Sequence, residues 1–200
     1  HGLHLPQQSG GPTQQYAMLI DVAGESERGE STTEAPPTRQ DSTALTVVLV
    51  DYSTIPTLGL PAYRVVHRKR WLGVSHPALY AQLLDLADNV WHAQYIIVDA
   101  TGVGAGLASF LARALGDRVI PFQFTVKTKS ELGWAFLAAI QTGRFKDHTT
   151  IQDDADQAEF WQQVQKTRYV AQPGPGHVIS WGAEPHDDLV MSAALCGHLD

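Results

Sequence analysis

One stretch in the middle of the chain, residues 95–106 with the sequence YIIVDATGVGAG, most constrains the fold. Its first four residues are of aromatic and β-branched type, which indicates a short buried strand. A glycine-rich turn follows, and an apolar pattern of helical period then begins. The stretch therefore predicts a strand, a tight turn and a helix, with Asp99 at the carboxyl end of a central strand, where open α/β sheets place their chemistry.

Asp99 has two interpretations from this stretch alone: a functional carboxylate, or a side chain that caps the next helix or bonds within the turn. An apolar run at residues 16–25 repeats the pattern, with Asp21 near its end and Gly24 after it. Asp187 and Asp188 open an apolar helix near the end of the chain. Single aspartates at strand ends or helix starts are common, but three such positions together favour a site.

The other elements predict an α/β fold. Residues 42–51 and 62–72 are β-rich runs that form a three-stranded meander with the first run. An amphipathic helix at 77–91 leads to the Asp99 strand, and a helix, a short strand at 118–124 and helices at 130–142 and 153–166 follow. Residues 167–181 predict a hairpin around a flexible tip. If the first and fourth strands are neighbours in a mixed sheet, the acidic positions can meet at one edge.

The chain has 200 residues and 44% hydrophobic composition, enough for one domain with a buried core. Residues 1–15, rich in Gln, Gly and Pro, predict a linker or a truncated connection, and residues 16–200 the domain itself. Within it, residues 26–40 have the composition of a flexible loop. No apolar run is long enough to span a membrane, so no membrane partner is expected. The single cysteine, Cys196, excludes an internal disulfide and is expected in the core.

Clustered carboxylates repel one another and raise one another's pKa unless a cation compensates them. A hard divalent ion such as Mg²⁺ or Mn²⁺ suits two or three carboxylates plus water. Two such ions roughly 3.5–4 Å apart stabilise the attacking and leaving oxygens of a phosphodiester displacement. The acidic positions therefore predict a nuclease site.

Four phrases carry a family resemblance: IDVAG at 20–24, VDATGVG at 98–104, FQF at 122–124 followed by Lys129, and HDDLVMSA at 186–193. Over about residues 16–198 the chain resembles the nuclease domain of the large terminase subunit of tailed bacteriophages. The resemblance implies a ribonuclease H-like mixed central sheet flanked by helices, with an extra C-terminal β-hairpin. It also implies an endonuclease that cuts concatemeric viral DNA during genome packaging with two Mg²⁺ or Mn²⁺ ions.

By this resemblance Asp21 and Asp99 would bridge or flank the metals, and Asp187 or Asp188 would supply the third ligand. His186 is a further candidate that could bind metal or orient the substrate. Adjacent helical side chains point about 100° apart, so the two neighbouring aspartates are not expected to be equivalent.

The implied partners are double-stranded DNA, the ATPase domain of the same subunit, the portal and the small terminase subunit, in the cytoplasm of an infected bacterial host. The packaging ATPase needs a Walker A phrase with a lysine and a hydroxyl residue after its glycines. Residues 102–106, GVGAG, lack both, and no such phrase occurs elsewhere. The chain is therefore predicted to be the nuclease part alone.

The formal net charge of −7 argues against tight, metal-free binding to nucleic acid by charge alone. Local basic patches can still position phosphates, and bound divalent ions offset part of the negative charge. Weak, metal-dependent DNA binding is therefore predicted, although a run of basic residues is also typical of a solvated strand face. The candidate DNA contacts are Arg64, Arg68, Lys69, Arg70, Lys127, Lys129 and Arg144.

Other functions stay open at this point. The same carboxylates would suit another ribonuclease H-like enzyme, such as a junction resolvase or a transposase core. A non-catalytic module with this fold could instead dock onto a portal or another packaging protein. A dinucleotide-binding loop is disfavoured, because Leu107 stands where the third glycine of that motif belongs.

Overall fold

The computed structural model of the chain describes residues 13–22, 42–148, 154–172 and 177–200. This part of the chain forms a mixed six-stranded sheet and a separate two-stranded hairpin. The sheet strands are β1 (Gln14–Asp21), β2 (Ser42–Asp51), β3 (Ala62–Leu72), β4 (Tyr95–Asp99), β5 (Val119–Phe122) and β6 (Phe145–Lys146), and the hairpin strands are β7 (Arg168–Ala171) and β8 (Ile179–Gly182).

The strand order in the sheet is β5-β4-β1-β2-β3-β6. β1, β2 and β3 form the predicted antiparallel meander. β4 pairs in parallel with β1 on one side and with β5 on the other, and β6 pairs in parallel with β3. The first and fourth strands are therefore neighbours, which is the arrangement that the acidic positions require.

Helices cover the sheet on both faces. The helices are α1 (Ile55–Leu58), α2 (His76–Asp85), α3 (Gly104–Leu115), α4 (Val126–Gln141), α5 (Ala155–Lys166) and α6 (Asp188–Ala194); a π-helical turn (Leu86–Val90) continues α2, and a 3-10 segment (Leu195–Leu199) continues α6.

Residues of β1 alternate between two apolar cores. Met18 and Ile20 pack with α2 and α3 on one face, whereas Ala17 and Leu19 pack with α4, α5 and α6 on the other. A strand covered on both faces carries a continuous apolar run, which is why the sequence around β1 and β4 shows no polar alternation. Among the described residues no helix has the length and apolar character needed to cross a membrane.

Two helices begin earlier than predicted. α3 starts at Gly104, directly after the turn, and α4 starts at Val126 because Thr125 and Thr128 form a capping box. The short α1 was not predicted. Cys196 is buried, as expected. The predicted linker at 1–15, except for its last three residues, lies outside the described residues, as do the loop at 26–40 and the hairpin tip at 173–176, so the domain boundaries stay a prediction.

The buried guanidinium of Arg68, on β3, forms an ion pair with Asp147 and also contacts α5. The guanidinium of Arg68 donates two hydrogen bonds to the Asp147 carboxylate, at 2.6 and 3.0 Å, and another to the side-chain carbonyl of Gln157. It also lies 3.5 Å from the centre of the Phe160 ring. Arg68 is 6% exposed. The prediction that Arg68 contacts DNA is therefore wrong, because this side chain is buried and already bonded to a carboxylate.

Arg144 needs the same correction. Its guanidinium donates to both carboxylate oxygens of Asp200, at 2.7 and 2.9 Å, and to the carbonyl oxygen of Pro61 at 3.0 Å. The Tyr63 hydroxyl donates to the same carboxylate at 2.7 Å. Arg144 is buried, so it links the end of the described chain to the start of β3 instead of facing DNA.

Removing the Asp147 carboxylate should leave the Arg68 charge buried without compensation. We expect Asp147→Ala to lower the free energy of unfolding by about 3–5 kcal/mol, measured by urea denaturation. Asp88→Ala is the matched control, because its ion pair with Arg118 lies on the surface, and it should cost no more than about 1 kcal/mol. Equal losses for the two variants would contradict a buried, structural role for Arg68.

Candidate active site at the ends of the central strands

Two candidate residues lie at the carboxyl ends of neighbouring parallel strands. β1 and β4 are aligned up to the pair Ile20 and Val98, so Asp21 and Asp99 are the next residues on the two strands. Asp99 is 6% exposed and Asp21 is half-buried. The apolar pairing of the strands therefore brings together two carboxylates that are far apart in the sequence.

The turn after β4 holds Asp99 in place. Its Oδ1 accepts a hydrogen bond from the backbone N–H of Thr101 at 2.8 Å, and the Thr101 hydroxyl accepts one from the N–H of Phe124 at 2.8 Å. A Cβ at Gly104 would lie 2.5 Å from the Asp99 carbonyl oxygen, so this position needs glycine. The bond within the turn predicted as an alternative for Asp99 is thus present.

The acidic pair at the start of α6 faces the same edge. The Ser42 hydroxyl, at the first residue of β2, donates a hydrogen bond to Asp188. Ser42 is close to the end of β1, because Ala44 is the register partner of Asp21. The other aspartate, Asp187, has its Oδ2 3.5 Å from the Lys129 ammonium. The two adjacent carboxylates therefore have different partners; Asp187 is at the N-cap of α6, and Asp188 is the first residue of the helix.

Asp21 is at the electrostatic centre of this group. Burial raises its pKa well above the ordinary value, and the charges of Asp99, Asp188 and Asp187 raise it further, in that order. Lys129 opposes the shift. Burial also raises the pKa of Asp99, against the hydrogen bonds from Thr101. The charges of the three other predicted carboxylates thus act on Asp21 at this edge of the sheet.

The donor set suits a hard divalent cation in its chemistry, since all four side chains offer carboxylate oxygens and their repulsion is only partly offset. Within the described ranges, however, no three His, Cys, Asp or Glu side chains are placed to hold one ion. Asp188 is bonded to Ser42, and Asp187 is directed to Lys129. The site therefore matches a divalent metal in its negative charge and its carboxylate donors and, among the described residues, not in the placement of three ligands around one ion.

The remaining predicted residues have varied surroundings. His186 is half-buried directly before the acidic pair, and its role stays a prediction. Arg70, on β3, is the register partner of Ala44 on β2, and Ala44 is also the register partner of Asp21 on β1. With strands about 4.8 Å apart, the backbones of Arg70 and Asp21 are therefore about 10 Å apart at the same edge.

The other predicted basic residues lie on β3 and α4. Lys69 is 5.2 Å from the Trp71 ring, and Arg64 is exposed further along β3. Lys127 is exposed in the first turn of α4, with its ammonium 3.8 Å from Glu131. Both helical lysines, Lys127 and Lys129, are thus at the amino end of α4.

Sequence reasoning missed the hydroxyl groups that bond to the carboxylates. Ser42 follows a long polar segment, and no local pattern connects it with Asp188. Thr101 is part of the glycine-rich phrase, so its position two residues after Asp99 was the only available signal.

An apolar cavity of about 440 Å³ lies beside the site, between α4, α5 and the hairpin. Trp181 forms part of its wall and donates its indole N–H to the carbonyl oxygen of Lys129 at 2.6 Å. Asp147 is the one carboxylate among its described lining residues, and it is paired with Arg68. Trp181 therefore connects the wall of the cavity with the start of α4. Its walls also include Trp134, Phe136, Ile140, Phe160 and Tyr169.

The sheet, its flanking helices and the hairpin define an α/β protein with the ribonuclease H-like fold, as predicted. The chain is similar in structure to the large terminase nuclease from thermophilic phage G20c, in crystal structures with bound cobalt and with bound magnesium. The TM-scores are 0.64 and 0.63, each at 20% sequence identity over 97% of this chain and 90% of the other. No protein-family model and no curated protein sequence matches the chain.

A methyl group at Gly104 should displace the turn that holds Asp99. We expect Gly104→Ala to lower the free energy of unfolding by about 1–3 kcal/mol, as overpacking does, in a thermal or urea measurement. Gly106→Ala is a matched control in the same helix, because nothing lies within 4 Å of its added Cβ. That control should be neutral or stabilising by about 0.5–1 kcal/mol. A neutral Gly104→Ala would contradict the close approach.

Asp21→Asn should stabilise the metal-free protein. A carboxyl whose pKa is raised on folding costs stability above its folded pKa, and this cost disappears as the pH falls towards its unfolded value of about 3.9. With EDTA at pH 7 we expect a higher Tm, by about 2–4 °C for each kcal/mol relieved, and a smaller gain near pH 4.

Asp51→Asn is a control for which the opposite change in Tm is expected. Asp51 ends β2 at the other edge of the sheet, and its hydrogen bond from Ser53 lowers its pKa. This substitution should reduce the Tm at pH 7. A gain for Asp21→Asn that did not vary with pH would show that charge repulsion is not its cause.

Proposed function

We propose that this chain is a metal-dependent DNA endonuclease that cuts concatemeric viral DNA during genome packaging. The observation that carries the proposal is the group of four carboxylates formed by Asp21, Asp99, Asp187 and Asp188, of which Asp21 and Asp99 end adjacent parallel strands. The fold shared with a terminase nuclease supports the same function. Neither observation alone would suffice, because folds host many functions and acidic clusters occur without catalysis.

In this proposal Asp21, Asp99 and one or both of Asp187 and Asp188 hold two Mg²⁺ or Mn²⁺ ions, and His186 is a neighbouring candidate. Such ions, when bound, stabilise the attacking and leaving oxygens of phosphodiester hydrolysis. The raised pKa of Asp21 supports this assignment, since a cation would relieve the repulsion that raises it. The bound cobalt and magnesium in the structurally similar nuclease agree with a divalent ion.

The DNA would lie across the edge that carries the carboxylates. Arg70 and Lys69 are at this edge on β3, and Lys127 and Lys129 are at the start of α4, so basic groups flank the acidic centre on two sides. Arg64, further along β3, would extend the first of these groups. Contacts of this kind position phosphates without reading sequence. The net charge of −7 keeps the expected binding weak and dependent on metal.

The proposed setting is the cytoplasm of an infected bacterial host. The partners would be double-stranded DNA, the ATPase domain of the same subunit, the portal and the small terminase subunit. These assignments follow from the resemblance of the sequence phrases and are part of the proposal.

The direct test is cleavage of supercoiled plasmid by the purified chain with Mn²⁺, Mg²⁺ or EDTA, and without ATP. We expect nicking and linearisation only with metal, and Asp21→Asn or Asp99→Asn should reduce the rate at least ~100-fold, beyond the usual effect of outer-shell substitutions. Asp51→Asn, a carboxylate at the opposite edge, should cut like the wild type.

Two results would favour the alternatives. A strong preference for branched DNA or an RNA–DNA hybrid over plasmid would indicate a resolvase-like or other ribonuclease H-like nuclease with the same carboxylates. No cutting with any metal, or equal cutting by both substituted proteins, would contradict the proposed active site and favour the docking module.

A further inference from the structure

Helix α6 begins with two aspartates that do not cap it. Asp187 is the residue at the N-cap, where an aspartate side chain ordinarily accepts a hydrogen bond from the second or third backbone N–H of the helix. Its side chain makes no such bond. It is directed to Lys129 instead, and the Asp188 carboxylate accepts from Ser42.

A glutamine from another helix occupies the capping role. The side-chain carbonyl oxygen of Gln163, in α5, is 3.0 Å from the N–H of Leu189 and 3.3 Å from the N–H of Val190. These are the second and third N–H groups of α6. Gln163 is 2% exposed, and its amide is oriented by a 3.4 Å hydrogen bond to Glu159.

We propose that Gln163 is a positioning residue for the carboxylate site. By capping α6 from outside, it satisfies the N–H groups that Asp187 would otherwise bind, and so it leaves Asp187 beside Lys129 and Asp188 beside Ser42, the positions from which both charges act on Asp21. The contribution to catalysis rests on the proposed function. The exchange of caps, by which we mean that Gln163 and not Asp187 accepts from the second and third N–H groups of α6, is a property of the fold.

The physical reason is competition for buried donors. Leu189 and Val190 are buried, so their N–H groups would lose their only described acceptor without Gln163, at a cost that favours any replacement. Asp187, at the N-cap, is the residue stereochemically suited to replace it. A rotation to the cap would take its carboxylate away from Lys129.

The first experiment is a stability cycle with Gln163→Met, Asp187→Ala and the double variant, measured as Tm in EDTA. Methionine keeps the length of the side chain and removes the amide acceptor. In the wild-type background Asp187→Ala should change the Tm little, because Asp187 makes no capping bond. In the Gln163→Met background it should lower the Tm by about 2–4 °C, the effect of losing an N-cap worth ~1 kcal/mol in a chain of this size.

The second experiment measures the Mn²⁺ concentration that gives half-maximal plasmid cleavage. We expect Gln163→Met to raise it about 10–100-fold, as substitutions that orient metal ligands do. Gln163→Glu, made together with Glu159→Gln so that two carboxylates do not face each other, keeps an acceptor oxygen where the helix dipole favours negative charge and should restore the wild-type requirement. Gln162→Met, an exposed neighbour in the same helix, is the matched control and should leave both readouts unchanged.

The two readouts separate the possible failures. An equal effect of Asp187→Ala in both backgrounds overturns the exchange of caps, even if the protein cuts DNA. A positive cycle with an unchanged Mn²⁺ requirement overturns the positioning role. If the wild type cuts nothing, the proposed function fails by itself, and the stability cycle still decides whether Gln163 keeps Asp187 from capping α6.

Discussion

The candidate site depends on the parallel pairing of β1 with β4. Helices bury both faces of these strands, so a slip of one residue would move every apolar side chain of a strand to the opposite face. The register that aligns Ile20 with Val98 is also the one that brings Asp21 beside Asp99. Hydrophobic packing thus fixes the position of charges that repel each other. The strand interiors supply the stability, and the residues at their ends supply the carboxylates of the candidate site.

The repulsion among these carboxylates is moderated by neighbours that differ in kind. The backbone N–H of Thr101 donates a hydrogen bond to Asp99, and the Ser42 hydroxyl donates one to Asp188. Lys129 contributes a positive charge near Asp187. The pKa of Asp21 stays raised in spite of these neighbours. A cluster of repelling carboxylates that is costly to fold is typical of function, because proteins keep such local conflicts mainly where activity needs them.

The sequence predicted those parts of the fold and site that depend on local pattern. Apolar runs ending in aspartate located Asp21 and Asp99, whereas the parallel pairing of their strands was only a condition at the sequence level and is observed in the structure. Contacts between residues far apart in the sequence could not be predicted from it. Arg68 and Arg144 belong to basic stretches, yet their charges are matched by Asp147 and Asp200, which only the tertiary structure brings near. For the same reason no pattern connects Gln163 with the start of α6.

The two adjacent aspartates of the last helix differ in how readily each could take a metal. A hydroxyl that donates to a carboxylate brings no positive charge, so the bond from Ser42 does not neutralise Asp188 and is compatible with a metal there. Lys129 supplies a positive charge to Asp187, and a cation there would have to compete with it. Within the proposed function we therefore infer that Asp188 is the stronger ligand. Asp187, held by Lys129, would then tune the charge around Asp21 from the neighbouring position.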